Sequence, residues 1–200
     1  MAAPVPRRRT GQAPGRLGEY LGLTGTRMNG ADAVYAHFAD HYVPRERLPE
    51  LKARLIETGQ VDEIRRFEIA APASVLETRL LDVARIFSGP TVEAIRDLLA
   101  EEEAEWAVKA HEAIEKASPI SLLGTLWAVR SARALPEALR NEYRFVSRVL
   151  EHGDFVEGIR AVIIDKDRTP KWRYATLESV PQCLLCQMTA EADGGDPDFS

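Results

Sequence analysis

The stretch from Glu142 to Trp172, EYRFVSRVLEHGDFVEGIRAVIIDKDRTPKW, constrains the fold more than any other. Leu139, Tyr143, Val146 and Leu150 recur at i, i+4, i+7 and i+11, the spacing that lines one face of an α-helix. His152-Gly153-Asp154 then interrupts the run. Gly153 suits the left-handed position beyond a helix end, and Asp154 with Glu157 three residues on is a variant capping box for a second helix. That helix is expected to bury Val156, Ile159 and Ile163 and to stop in Asp165-Lys166-Asp167-Arg168 ahead of Pro170.

The rest of the chain follows similar rules. Gly15 to Thr24 reads as a short helix stopped by Gly25, and Asn29 with Asp32 opens another through Tyr35. Pro44 to Thr58 is amphipathic, with Leu48, Leu51 and Leu55 inward and Gly59 as the stop. Ser74 and Glu77 form a capping box for a helix burying Leu76, Leu80, Val83 and Phe87. Gly89-Pro90 restarts the chain into a helix carrying Val92, Ile95, Leu98 and Leu99, and Trp106 to Ala117 is helical. Ser118-Pro119 sets an N-cap and first turn, with Ile120, Leu123 and Trp127 on one face and Leu122, Leu126 and Val129 widening it. Pro136 starts the helix that leads into the opening stretch, and Thr176 caps a last short one. The expected fold is mainly α, with eight or nine helices and at most one or two short strands.

Composition excludes several classes. Two hundred residues, 45% hydrophobic and 28% charged, suit one globular domain with a tail. A net charge of -5 gives no basic field for nucleic acid, and three arginines at 7 to 9 make only a short footprint. No apolar run reaches membrane-spanning length, and the start lacks the apolar centre of a signal peptide. The expected compartment is the cytoplasm, with the mitochondrial matrix as alternative if the Arg-rich start is a transit peptide. Residues 1–12 read as disordered or as a non-authentic start, and residues 181–200 as an acidic disordered tail.

Isolated reactive residues do not add up to a site. The glycines at 11, 15, 18, 22 and 25 match neither phosphate-binding fingerprint. His37 and His41 in HFADH share a face only on a helix; in an extended chain they stand about 13 Å apart, too far for one metal. Cys183 and Cys186 form a lone CxxC without the second pair a structural zinc needs, and free thiols are expected. The acidic run Glu101, Glu102, Glu103 and Glu105 reads as a solvated face near a helix N-terminus. No metal is expected.

A run of the form DFxEGxRAxxIDKDxxPxW occurs as Asp154-Phe155, Glu157-Gly158, Arg160-Ala161, Ile164-Asp165-Lys166-Asp167, Pro170 and Trp172. Together with Ser118-Pro119-Ile120-Ser121-Leu122 and Thr125, Glu142-Tyr143-Arg144, and Pro14-Gly15-Arg16-Leu17-Gly18 through Thr24-Gly25, it resembles the 3-hydroxyisobutyryl-CoA hydrolase family, a branch of the enoyl-CoA hydratase/isomerase (crotonase) superfamily. The resemblance covers roughly residues 13–180. It implies that this region is the helical C-terminal portion of an α/β crotonase (ClpP/crotonase-like) fold and that the substrate is an acyl-CoA of valine catabolism. The cofactor expectation is none beyond the coenzyme A carried by that substrate.

Hydrolysis of a thioester requires oxyanion donors and a carboxylate that activates water or attacks the carbonyl. The resemblance implies a Glu, an Asp and glycine-rich turns in those roles, and no residue of this chain matches them, so no residue is assigned as catalytic. Glu142, Glu157, Asp165 and Asp167 read as partners of Arg144, Arg160, Lys166 and Arg168. In crotonase-fold enzymes the C-terminal helices cover the active site. By that analogy Lys166 and Lys171 are candidates for the CoA phosphates and Trp172 for the adenine. The partners implied are an acyl-CoA and a second copy or a crotonase-fold protein. The alternatives are an enoyl-CoA hydratase/isomerase activity or a non-catalytic helical protein.

Overall fold

The computed structural model describes residues 13–131 and 134–198, and these fall into two compact units. One comprises residues up to Gly18 together with Arg27–Ala84; the other comprises Glu19–Thr26 and Arg85–Ser200. Helix α1 (Leu17–Thr24) contains the first boundary between them. Its stop is as expected: Gly25 takes φ 62° and its N–H reaches the Leu21 carbonyl at 3.0 Å.

In the first unit, Asn29 and Asp32 form the expected capping box of α2 (Gly30–Tyr35). Asp32 does more than that. Its Oδ1 accepts from the Ser74 hydroxyl at 2.7 Å and from the Val75 N–H at 3.0 Å, so it anchors the start of α4 (Val75–Ile86) from 43 residues away. Ser74 in turn accepts from the Leu76 N–H at 3.1 Å. Burial pushes the Asp32 carboxyl up, but the bonds from Ser74 and from the backbone N–H groups of Asn29, Leu76 and Val75 outweigh it and hold the group below the ordinary carboxylate range. Between these helices, α3 (Leu48–Thr58) follows a single 3₁₀ turn and buries Leu51. It ends at Gly59, which is left-handed at φ 65°. Leu48, expected inward, is exposed. Arg47 lays its guanidinium 5.0 Å from the Phe67 ring centre and donates to the carbonyls of Phe67 and Arg66.

No β-strand occurs among the described residues. Next to His41 the chain makes one strand-like bond, from the Ile69 N–H to the Tyr42 carbonyl at 3.0 Å, and no ladder. His37 occupies a left-handed turn at φ 64° and His41 is bonded to Glu68. The two histidines therefore belong to different local structures.

The second unit holds α5 (Val92–Ala100), α6 (Glu105–Lys116), α7 (Pro119–Ser131), α8 (Leu135–His152), α9 (Phe155–Ile159) and α10 (Gln182–Thr189). Tyr20 sits edge-on to both Phe87 and Trp106, with ring centres 5.4 and 5.8 Å apart. Val92, Ile95 and Leu99 are buried as their spacing requires. In α7 both stripes are mixed in depth: Ile120, Leu122 and Leu126 are buried, while Leu123, Trp127 and Val129 are only half-buried. Ile120 joins Leu184 and Met188 in a buried cluster that Phe145, Tyr174 and Val180 close.

Four expectations give way here. Glu101 to Glu103 lie beyond the end of α5, and only Glu105 stands in a helical first turn, paired with Lys109. Gly153 is extended at φ -97°, and its small size matters because a Cβ there would stand 2.8 Å from both Val149 Cγ2 and the Val149 carbonyl. The Asp154 side chain does not cap α9; the Asp154 carbonyl accepts from the Gly158 N–H at 2.9 Å instead. Finally, residues 182–189 of the expected disordered tail form α10, and Asp196 is ion-paired with Arg144. Residues 1–12, including the three arginines, lie outside the described residues.

Candidate functional site

Two nodes, one long-range and one local, shape the region of Lys166, Lys171 and Trp172, all in the second unit. The first is Asp154, which is buried. Its Oδ2 accepts from the Ser118 hydroxyl at 2.6 Å and its Oδ1 from the Arg173 N–H at 2.8 Å. Ser118 also serves as the expected N-cap of α7, accepting from the Ser121 N–H at 3.3 Å. One carboxylate thus ties the start of α7 and the α8–α9 junction to the segment after Trp172.

The second node is Arg160. Its Nε and Nη2 grip both oxygens of Glu157 at 2.9 and 2.8 Å, a bidentate pair. Nη1 donates to Asp165 at 2.6 Å and to Asp167 at 2.7 Å, and Nη2 also reaches the Thr169 carbonyl at 3.2 Å. The bond from Arg160, reinforced by the Lys171 N–H at 2.6 Å, holds the Glu157 carboxyl down at about 2. Asp167 is held low by Arg160 and by the Thr169 N–H, while the same carboxylates push Arg160 upward. These groups are fixed in their charged forms near neutrality, so none is suited to carry a proton. The structural network expected of Glu157, Asp165 and Asp167 is thus present but centred on Arg160 alone, while Arg144, expected in it, pairs with Asp196.

The network folds residues 160–172 into a specific shape. Arg160–Ile164 is a π-helical turn, closed by the Asp165 N–H on the Arg160 carbonyl at 2.8 Å. Lys166 and Arg168 both take left-handed backbone, at φ 58° and 55°. Non-glycine residues do so at a cost of about 1–2 kcal/mol each. Lys166 and Lys171 are exposed, and Trp172 is half-buried. The Trp172 indole N–H donates to the Lys116 carbonyl at 3.0 Å, and its ring lies against Gly158, where a Cβ would come within 3.8–3.9 Å of it. The three candidate residues are therefore carried on one braced hairpin. It offers two solvent-facing cations and one anchored aromatic surface.

Asp154 and Arg130 are the anchoring residues that sequence reasoning missed. Arg130 donates to the carbonyls of Phe87, Gly89 and Pro90 at 2.8–3.0 Å and is ion-paired with Glu19. Its partners lie about 40 and 111 residues away, so no local pattern announces it. Beside it opens a cavity of about 660 Å³ lined by Val92, Leu123, Trp127, Leu177, Val180 and Leu185 among others. Its walls are mainly apolar, with Glu93, Arg130 and Glu178 among the lining residues.

Elsewhere the chemistry stays sparse. Cys183 and Cys186 are free, exposed thiols on α10. Among the described residues no three His, Cys, Asp or Glu side chains are grouped to hold a metal. None of the described helices is long and apolar enough to cross a membrane.

A family model described as Enoyl-CoA hydratase/isomerase matches residues 9–188. The protein named 3-hydroxyisobutyryl-CoA hydrolase, mitochondrial, of Gallus gallus is 35% identical over 83% of this chain and 46% of its own length. The Small ribosomal subunit protein mS47 of Arabidopsis thaliana is 37% identical over 92% of this chain and 50% of its own. A crystal structure of an enoyl-CoA hydratase from Rhodobacter sphaeroides 2.4.1 superposes with a TM-score of 0.86 at 36% identity, over 95% of this chain and 56% of that one. The chain spans about half the length of the curated relatives it matches. The resemblance read from the SPISL, EYR and DKDxxPxW motifs is thus borne out over most of the sequence. The chain belongs to the enoyl-CoA hydratase/isomerase family.

Proposed function

We propose that this chain works as part of an acyl-CoA thioester hydrolase of the 3-hydroxyisobutyryl-CoA type, in valine catabolism, as the helical C-terminal part of a crotonase fold. In that role it supplies a wall for the coenzyme A moiety. The observation that carries the reading is the braced segment that bears Lys166, Lys171 and Trp172, in which Arg160 occupies the neighbouring carboxylates and Trp172 is anchored on Lys116. Lysines act as point charges toward phosphates, and an indole offers a flat face to a base. No cofactor beyond the coenzyme A of the substrate enters. The oxyanion donors and the acid–base carboxylates belong to a part of the fold outside this sequence.

Two assays test the reading. Coenzyme A titrated into the purified chain should bind weakly, less so as salt rises, and binding should fall about tenfold or more in Lys166→Ala/Lys171→Ala. Thiol release from 3-hydroxyisobutyryl-CoA should stay at background. Clear turnover would refute the placement of the catalytic groups, and binding indifferent to the lysines would refute the site. The relative named as a ribosomal protein supports a second reading, a non-catalytic helical protein of the same family. Absence of any coenzyme A binding would favour it. An enoyl-CoA hydratase activity finds support in the description of the Rhodobacter structure. The name of the Gallus relative supports a mitochondrial location over the cytoplasm.

A further inference from the structure

Two exposed features lie outside the network around Arg160. One is apolar: Val156 and Ile163 are exposed rather than buried as their spacing suggested. The other is reactive. Cys183 and Cys186 are the two cysteines of the chain, and both are exposed thiols on α10.

Their placement follows from how α10 is held. Leu184 and Met188 are buried against Ile120, which turns the opposite side of the helix to solvent. Cys183 and Cys186 stand three residues apart and are neighbours on that outer side. The far end of the helix is tied down. The Thr189 hydroxyl donates to the Leu185 carbonyl at 2.8 Å, and Arg148 donates to the carbonyls of Ala190 and Glu191 at 2.9 and 2.7 Å. The first turn has no such ties. Pro181 stands at the N-cap, and no side chain caps the helix there.

Distance decides whether the two sulfurs can join. Cβ atoms three residues apart on an α-helix are separated by about 5–6 Å, whereas a disulfide needs about 3.5–4.5 Å. A 3₁₀ turn eclipses the side chains of i and i+3 and so removes the excess. The first turn of α10 already carries a bond of that kind, from the Leu184 N–H to the Pro181 carbonyl three residues back at 2.9 Å. The uncapped end is therefore the part of the helix that can tighten while the tied end stays in place.

We propose that Cys183 and Cys186 form a redox-active dithiol that exchanges with small-molecule disulfides. One thiolate attacks a sulfur of the disulfide RSSR, forms a mixed disulfide and expels RS⁻. The second thiolate then attacks the cysteine sulfur of that mixed disulfide, closes the Cys183–Cys186 bond and expels the other RS⁻. Two electrons pass from the cysteines to RSSR, and the two thiol protons end on the two RSH released. Exposure of both thiols gives the incoming disulfide its access. The site is independent of the coenzyme A reading.

The test equilibrates the reduced 200-residue chain with mixtures of glutathione and glutathione disulfide, traps free thiols by alkylation and reads the intact mass. The wild-type chain should lose two hydrogens, keep no glutathione and resist alkylation. Cys183→Ser and Cys186→Ser should each stop at a single glutathione adduct. Helical circular dichroism should be unchanged on oxidation, and the oxidised chain should sediment as a monomer. In denaturing urea the ratio of closed to mixed disulfide should fall about tenfold, because the turn no longer holds the thiols near each other. A wild-type chain that stays reduced, that retains glutathione as the single variants do, or that links to a second copy overturns the proposal. So does a ratio that urea leaves unchanged, or a closure that unwinds the helix. None of these outcomes bears on coenzyme A binding at Lys166 and Lys171.

Discussion

Arg160 places all five of its N–H groups on acceptors: two on Glu157, one each on Asp165 and Asp167, and one on the Thr169 carbonyl. This saturation has a pH signature. The Glu157 carboxyl titrates at about 2 in the folded chain against 4.5 for the free group. A folded-state value below the unfolded one contributes stability above the unfolded pKa and loses it as pH falls through the folded value. The thermal midpoint of the wild-type chain should therefore exceed that of Glu157→Gln at pH 6, with the gap closing between about pH 4.5 and 2. A gap that stays constant over that range would show that the pairing with Arg160 adds nothing. Asp154 makes a different kind of prediction, since it is buried between two donors. Asp154→Ala leaves the Ser118 hydroxyl and the Arg173 N–H without their acceptor and should cost about 2–3 kcal/mol in urea unfolding. Asp154→Asn, which keeps one carbonyl oxygen, should cost less.

At the scale of elements, the α7–α8 contact is decided by one missing methyl group. A Cβ on Gly124 would stand 2.2 Å from Phe145 Cε2 and 2.6 Å from Cζ. Alanine is the better helix former by about 1 kcal/mol, but Phe145 is held in the cluster of Ile120, Leu184 and Met188 and cannot swing clear at little cost. Overpacking of about 1–3 kcal/mol should win, so Gly124→Ala lowers the thermal midpoint. A rise would mean that the Phe145 ring relocates freely. Local rules made most of these elements legible. The Asn29–Asp32 box, the Gly25 and Gly59 stops and the Ser118-Pro119 start all stand where capping chemistry places them. What stayed hidden was action at a distance. Asp154 has the composition of a helix cap and works as a tie to Ser118 and Arg173, and Asp32 helps to start a helix 43 residues on. Spacing along a chain carries no record of such partners.

For the molecule as a whole, periodicity identified the apolar side of α8 correctly but not what meets it. Leu139, Tyr143, Val146 and Leu150 do share a face, and the chain packs the opposite one. Amphipathicity reports that a face is to be covered and is silent about the polypeptide that does so. The candidate site divides in the same way. The DKDxxPxW run pointed to Lys166, Lys171 and Trp172, whereas the bracing by Arg160 and the indole bond to Lys116 emerged only in three dimensions.

Helix α8, packed through Phe145 on one face and exposed at Val146 and Leu150 on the other, makes substitution tolerance follow burial and not apolarity. Random substitution scored on the short chain by itself would report Val146 and Leu150 as dispensable and Phe145 as constrained. An apolar residue on this helix is thus no guide to constraint unless its face is known.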